Sequence, residues 1–144
     1  MTVWPSIAAT RAGQSLGRLY ATRLGIGWLT LGKLAALASI PLVLPLYFSM
    51  LNPWRMRRYR LTNRRVVIER GVEGRPESAI ELAAFDAVEI VVQPGQAWYP
   101  AGDLVFRRGG IEVFRLPGVP RPEGFQHTVL KTARAYAGLA VRAH

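Results

Sequence analysis

The chain has 144 residues and no cysteine. That length suits one domain or a small domain with an appendage, and the composition excludes disulfide frameworks, Cys-ligated zinc, iron–sulfur clusters and thiol nucleophiles. Half of the residues are hydrophobic and 19% are charged, fewer than the roughly 25% usual in soluble domains, and the net charge of +10 is carried by residues 1–68, which hold ten Lys or Arg and no acid, while residues 69–144 hold nine of each sign. The first half therefore leans toward lipid and the second has the balanced surface of a water-exposed domain.

Residues 1–23 form a basic segment. Leu16, Leu19, Tyr20 and Leu24 mark one face of a helix with Arg11 and Arg18 opposite, as an interfacial helix needs, but Arg23 falls on the apolar side.

Next, Leu34 to Leu51 reads LAALASIPLVLPLYFSML, eighteen residues without a charge. A helix of that length spans roughly 27 Å, close to the ~30 Å of a bilayer core. The expectation is a transmembrane helix over residues 24–54, with Lys33 snorkelling. A cleaved signal peptide fits less well, because more than thirty residues precede the run and no small-x-small site follows it. Pro41 and Pro45 lie four apart, a spacing membrane helices accept when neighbours satisfy the freed carbonyls. Gly32 with Ala36, and Ala35 with Ser39, place small residues where helices approach closely.

After Trp54 come Arg55, Arg57, Arg58, Arg60, Arg64 and Arg65. The positive-inside rule puts that side in the cytoplasm of an inner-membrane, single-pass protein. The alternative is a re-entrant hairpin over residues 24–51, bent near the prolines, which would keep Arg11, Arg18 and Arg23 on the same side; its legs of ~21 Å are too short to span. The arginines admit three roles: a topogenic stop signal, contact with anionic lipid headgroups at about 1 kcal/mol each, or docking on an acidic partner. Nucleic acid is not expected, since Tyr59 is the only aromatic interleaved with them.

From Met56 the period becomes that of strands. Residues 58–61 and 65–70 flank the Thr62–Asn63 turn; 78–82 and 87–93 flank a turn at 83–86. Residues 103–108 and 111–116 flank Gly109–Gly110, a hairpin loop whose two residues both accept positive φ. That register sets Phe106 against Val113, Val105 against Phe114 and Arg107 against Glu112. A helix follows from Pro122, with Glu123 at its positive end and Phe125, Val129, Ala133, Tyr136 and Ala140 on one stripe.

Tyr59 to Gly71 (YRLTNRRVVIERG), following an apolar segment with an arginine-rich exit, resembles the bacterial pleckstrin-homology-like (PH-like) family with an N-terminal membrane anchor. Ile80–Leu82 with Phe85–Val88, Gly102–Phe106, and Leu116–Glu123 agree in order and spacing. The resemblance implies an α+β fold, an N-terminal transmembrane helix followed by a partly open barrel or β-sandwich of about seven short strands closed by a C-terminal helix. It also implies binding and scaffolding without catalysis; some members assist assembly of photosynthetic membrane complexes. Two features depart from the family: the region before Lys33 is too charged for the first leg of a two-helix anchor, and Gln96-Ala-Trp98-Tyr99-Pro100 replaces a basic, glycine-containing loop. Trp98 and Tyr99 then either contact a protein partner or membrane interface, or pack inward at the barrel mouth.

No residue set points to catalysis, a cofactor or a metal. His127 and His144 have no ligand-spaced partners, the serines lack a nucleophile elbow, and Asp86 and Glu89 read as solvated surface acids. Two function classes follow. In the first the chain is a structural or assembly subunit of a larger membrane protein complex, a photosynthetic one being a candidate, and its partners are other membrane subunits. In the second it is a free-standing module that binds anionic lipid headgroups.

Overall fold

The chain begins with a short edge strand, β1 (Thr2–Val3), a single 3-10 turn (Ile7–Ala9) and helix α1 (Arg11–Tyr20). A two-residue pair, β2 (Gly25–Ile26) and β3 (Leu29–Thr30), leads into α2 (Leu31–Ala38) and α3 (Ile40–Met50). Strands β4 (Arg57–Leu61), β5 (Arg65–Arg70), β6 (Arg75–Glu81), β7 (Ala87–Val91), β8 (Ala101–Arg108) and β9 (Ile111–Pro120) follow, and α4 (Pro122–Arg142) ends the fold. This computed structural model describes residues 1–21, 25–26, 29–50, 52–54 and 56–142, with the side chains of 25–26, 29–32, 50 and 140 left aside. Leu24, Trp28, Leu51, Arg23, Arg55 and His144 lie outside the described residues.

Two open antiparallel sheets, ordered β1-β4-β5-β6 and β7-β8-β9, enclose the core. Tyr59 and Leu61 of β4, Val66 of β5 and Ile80 of β6 meet Val88 of β7, Leu104 and Phe106 of β8, and Leu116 and Val119 of β9. Phe125 and Val129 of α4 close that cluster, with Ala133 and Tyr136 partly buried on it. At about 1.5–3 kcal/mol for each large apolar side chain buried, this cluster is the main stabilising element. The α+β architecture and closing helix are those expected. Lys131 and Arg134 point to solvent as their place off the stripe requires.

The Gly109–Gly110 hairpin forms, with φ of +58° and +81° and Arg107 opposite Glu112. The rest of its register differs from the expected one. A bulge next to Arg107 puts Phe106 opposite Phe114 and Val105 opposite Arg115. The reason is side-chain volume: the bulge leaves Val113 46% exposed and brings Phe114 onto Phe106 edge-to-face at 5.7 Å, where a ring gains more than a valine.

Tyr59 is 1% exposed, and its hydroxyl donates to the Pro117 carbonyl at 2.7 Å, linking the two sheets. Burial pushes this phenol well above its usual value. The unfolded chain ionises Tyr59 near pH 10 while the folded chain holds the proton, so its stabilisation is complete below about pH 10 and lost as pH rises beyond it. Tyr59→Phe is expected to cost about 1 kcal/mol at neutral pH and to flatten the alkaline decline. Urea unfolding at pH 7 and above pH 10 measures both.

The expected continuous helix over residues 24–54 does not form. Among its described residues the chain there has a strand pair and two helices of 8 and 11 residues broken at Ser39. Pro41 is the cause: inside a longer helix it would remove one hydrogen bond and clash with the preceding turn. In the first turn of α3 its missing N–H costs nothing. The Ser39 carbonyl accepts instead from Leu42 N at 2.8 Å and Val43 N at 2.9 Å. Rises of ~12 and ~16 Å for α2 and α3 fall short of the bilayer core. Among the described residues no helix is long and apolar enough to cross a membrane.

Candidate interaction surface

The α2–α3 arm presents its apolar side chains outward. Leu37, Leu42 and Phe48 are 68–70% exposed; Leu34, Ile40, Leu44 and Tyr47 are about half exposed, and Pro41 and Pro45 are exposed as well. Among the described side chains of α3 only Val43 and Leu46 are half-buried. Uncharged apolar residues exposed on most of a helix surface are unusual for a chain surrounded by water and mark a contact surface. The small residues face the body of the fold: Ala35 and Ala36 are half-buried, Ser39 is buried, and its hydroxyl is hydrogen-bonded to the Tyr20 hydroxyl of α1. Gly32 lies in the first turn of α2.

Trp54 stands in the turn before β4 and is 82% exposed. The arginines beyond it do not act as a single free cluster. Arg57 forms a two-pronged pair with Glu77 of β6 at 2.7 and 2.9 Å. Arg58 pairs with Glu69, its register partner on β5, and Arg60 lies 3.6 Å from the same carboxylate. Arg64 and Arg65 are exposed at the β4–β5 turn and have no ion pair among the described residues. Strand alternation splits the run: Tyr59 and Leu61 go inward while Arg58 and Arg60 go outward onto Glu69, eleven and nine residues away in sequence, and Arg57 reaches Glu77, twenty residues away.

Trp98 and Tyr99 lie against α1. The Trp98 ring sits 5.5 Å from Tyr20 and remains 45% exposed. Tyr99 is half-buried beside Gly17, and burial together with Tyr20 and Tyr47 pushes its hydroxyl's pKa up. Glycine contacts bring α1 this close: a Cβ at Gly17 would lie 2.1 Å from the Gly95 carbonyl oxygen, and one at Gly95 would lie 2.0 Å from the Gln14 carbonyl oxygen. The buried face of α1 is accordingly Gly13, Gly17 and Tyr20. Leu19 of the expected apolar face is 49% exposed.

A buried polar set that the sequence reading passed over holds this corner. Asp103 is 4% exposed and Gln96 fully buried. Asp103 Oδ1 accepts from Gln96 Nε2 at 2.6 Å and from Gly118 N at 2.9 Å, and Oδ2 lies 3.1 Å from Arg115 Nη1. Gln96 Nε2 also donates to the Ala8 carbonyl at 3.3 Å, and its Oε1 accepts from Gln93 N at 2.7 Å. The Gly–Asp pair at 102–103, noted only as a resemblance, was the one available signal.

Three further acids have structural partners. Asp86 accepts from Gly109 N at 2.7 Å, Glu89 pairs with Arg107 at 2.8 Å, and the Arg115 guanidinium holds the exposed Glu112 carboxyl below its usual range. Among the described residues no three His, Asp or Glu side chains gather as metal ligands, and His127 is exposed on α4.

No curated protein matches the chain. The family described as bacterial PH domain matches residues 17–134, from the last turn of α1 through the arm and both sheets into α4. With two open antiparallel sheets closed by a C-terminal helix, and with that match over most of its length, the chain belongs to the bacterial PH domain family.

Proposed function

We propose that this PH-like chain is a non-enzymatic scaffold, a structural or assembly subunit of a larger membrane protein complex, held at the cytoplasmic face of the inner membrane by its α2–α3 arm. The observation that carries the reading is the exposure of Leu34, Leu37, Ile40, Leu42, Leu44, Tyr47 and Phe48 on two short helices. Each helix is too short to span, so the arm is suited to insert partway or to lie against the helices of other subunits. Pro45, inside α3, leaves the carbonyl four residues before it, that of Pro41, short of its helical donor, and a neighbouring helix is a ready source of one. Trp54 and Arg57, which follow the arm directly in the chain at the start of β4, fit the interfacial level beside it. Trp98, partly exposed against Tyr20 of α1, is a further aromatic side chain open to a partner.

Gentle detergent extraction of native membranes is expected to yield the chain together with other membrane proteins. The double substitution Leu42→Asp/Phe48→Asp is expected to abolish that co-purification and release the chain on carbonate washing, while circular dichroism stays unchanged because both side chains are exposed. Trp98→Ala should weaken co-purification without releasing the chain from membranes. A monodisperse monomer from native membranes, with no co-purifying protein, would count against the subunit reading.

A further inference from the structure

Three arginines stand side by side across the first sheet. Arg57 on β4 is the register partner of Arg70 on β5, which is in turn the register partner of Arg75 on β6. Like charges placed directly opposite one another on neighbouring strands are destabilising. Glu77 offsets Arg57 and Glu73 offsets Arg75 at 2.8 Å. Arg70, between them, is exposed and has neither an ion pair nor a side-chain hydrogen bond among the described residues. It borders two cavities. One is a groove of about 750 Å³ lined mainly by apolar side chains, among them Trp4, Ile7, Leu46, Tyr47 and Met56, between the 3-10 turn, α3 and the start of β4. The other, of about 440 Å³, is lined by Pro53, Trp54, Gly71, Val72, Glu73 and Arg75 besides Arg70.

We propose that Arg70 and the apolar groove beside it form a binding site for one anionic phospholipid, its phosphate on the Arg70 guanidinium and an acyl chain between α3 and the Trp4 segment. The charge argument selects an anion: the row lacks one negative group, and a phosphate accepts the forked donors of a guanidinium. The groove selects an amphiphile over free phosphate, because its lining is chiefly apolar and its size is that of a small-molecule site. Its position selects the bilayer as the source, because Leu46 and Tyr47 of the exposed arm form its wall. The proposal shares with the scaffold reading only an arm that meets lipid and needs no protein partner.

The test is native mass spectrometry of the full chain released from detergent micelles containing phosphatidylglycerol and phosphatidylcholine of identical acyl chains. One phosphatidylglycerol per chain is expected, favoured over phosphatidylcholine by about tenfold: both lipids offer a phosphate to Arg70, but choline adds a quaternary ammonium, a like charge beside the arginine row. Arg70→Gln is expected to erase the preference. Leu46→Trp, which fills the groove, should reduce retention of both lipids, and Arg64→Gln should change nothing. Circular dichroism checks that each variant is folded. Equal retention of the two lipids by the native chain would overturn the proposal, as would equal losses in Arg70→Gln and Arg64→Gln, which mean diffuse attraction. Competition by glycerol phosphate as effective as phosphatidylglycerol would mean a free-phosphate site and also overturn it.

Discussion

Asp103→Ala is expected to destabilise the fold by about 2–4 kcal/mol, the cost of leaving buried donors without an acceptor and breaking a partly buried ion pair. Gly118 N–H would lose its acceptor and Gln96 Nε2 the shorter of its two. Arg115 would retain Glu112 at 2.8 Å, which keeps the loss below that of an isolated buried charge. Asp103→Asn keeps one oxygen for Gln96 and Gly118 but can turn an amide toward Arg115, so its loss should be intermediate. Equilibrium urea unfolding of the three proteins measures the order. Because Asp103 joins β8, β9 and the loop carrying Trp98, the alanine variant should also loosen the Trp98–Tyr20 contact, visible as a change in tryptophan fluorescence before global unfolding. Equal stability of all three proteins would mean that this buried set contributes nothing.

A loss of similar size, about 2–4 kcal/mol, is expected for Gly118→Ala, from a left-handed backbone and forced overpacking acting together. Gly118 has φ of +60°, and a Cβ there would lie 2.4 Å from Ala9 N and 2.6 Å from Ala9 Cα. Both obstacles are backbone or Cα atoms with no side-chain freedom to yield. Relief therefore requires the 3-10 turn to move away, breaking the 2.8 Å bond from Ser6 N to the Gly118 carbonyl. Gly109→Ala is the control: its φ of +58° carries a similar conformational cost, yet a Cβ there meets nothing within 4 Å. It should lose about 1–2 kcal/mol. Limited proteolysis separates the two, since only Gly118→Ala should expose residues 1–21 to cleavage. Equal behaviour of the two variants would show that the N-terminal segment is not held by close packing at this point.

What was legible from sequence was local. Strand alternation, the Thr62–Asn63 and Gly109–Gly110 turns and the Phe125–Val129–Ala133–Tyr136 stripe depend on neighbours within a few residues, and each reappears in β4–β5, the β8–β9 hairpin and α4. The charge asymmetry and the apolar run from Leu34 to Leu51 are likewise properties of the sequence. They singled out the segment whose apolar side chains the fold leaves exposed.

Tertiary structure decided the rest. The apolar run does not say whether a proline will kink one helix or start another; the bend at Ser39, tied to Tyr20 of α1, places Pro41 in a first turn and divides the run. Glycine carries no weight in a hydrophobic pattern, so the close approach of Gly17 to Gly95 left no mark in the periodicity of α1, although it fixes how that helix seats. Thr2–Val3 is too short to announce a strand, and becomes one because β4 offers a free edge, with Leu61 N donating to the Met1 carbonyl at 2.8 Å. The arginines form one run in sequence but several environments in space. Sheet pairing assigns acids to Arg57, Arg58 and Arg60 and aligns Arg57, Arg70 and Arg75 in a row. Register across three strands is a long-range property, set by core packing on the opposite face, and local spacing holds no information about it.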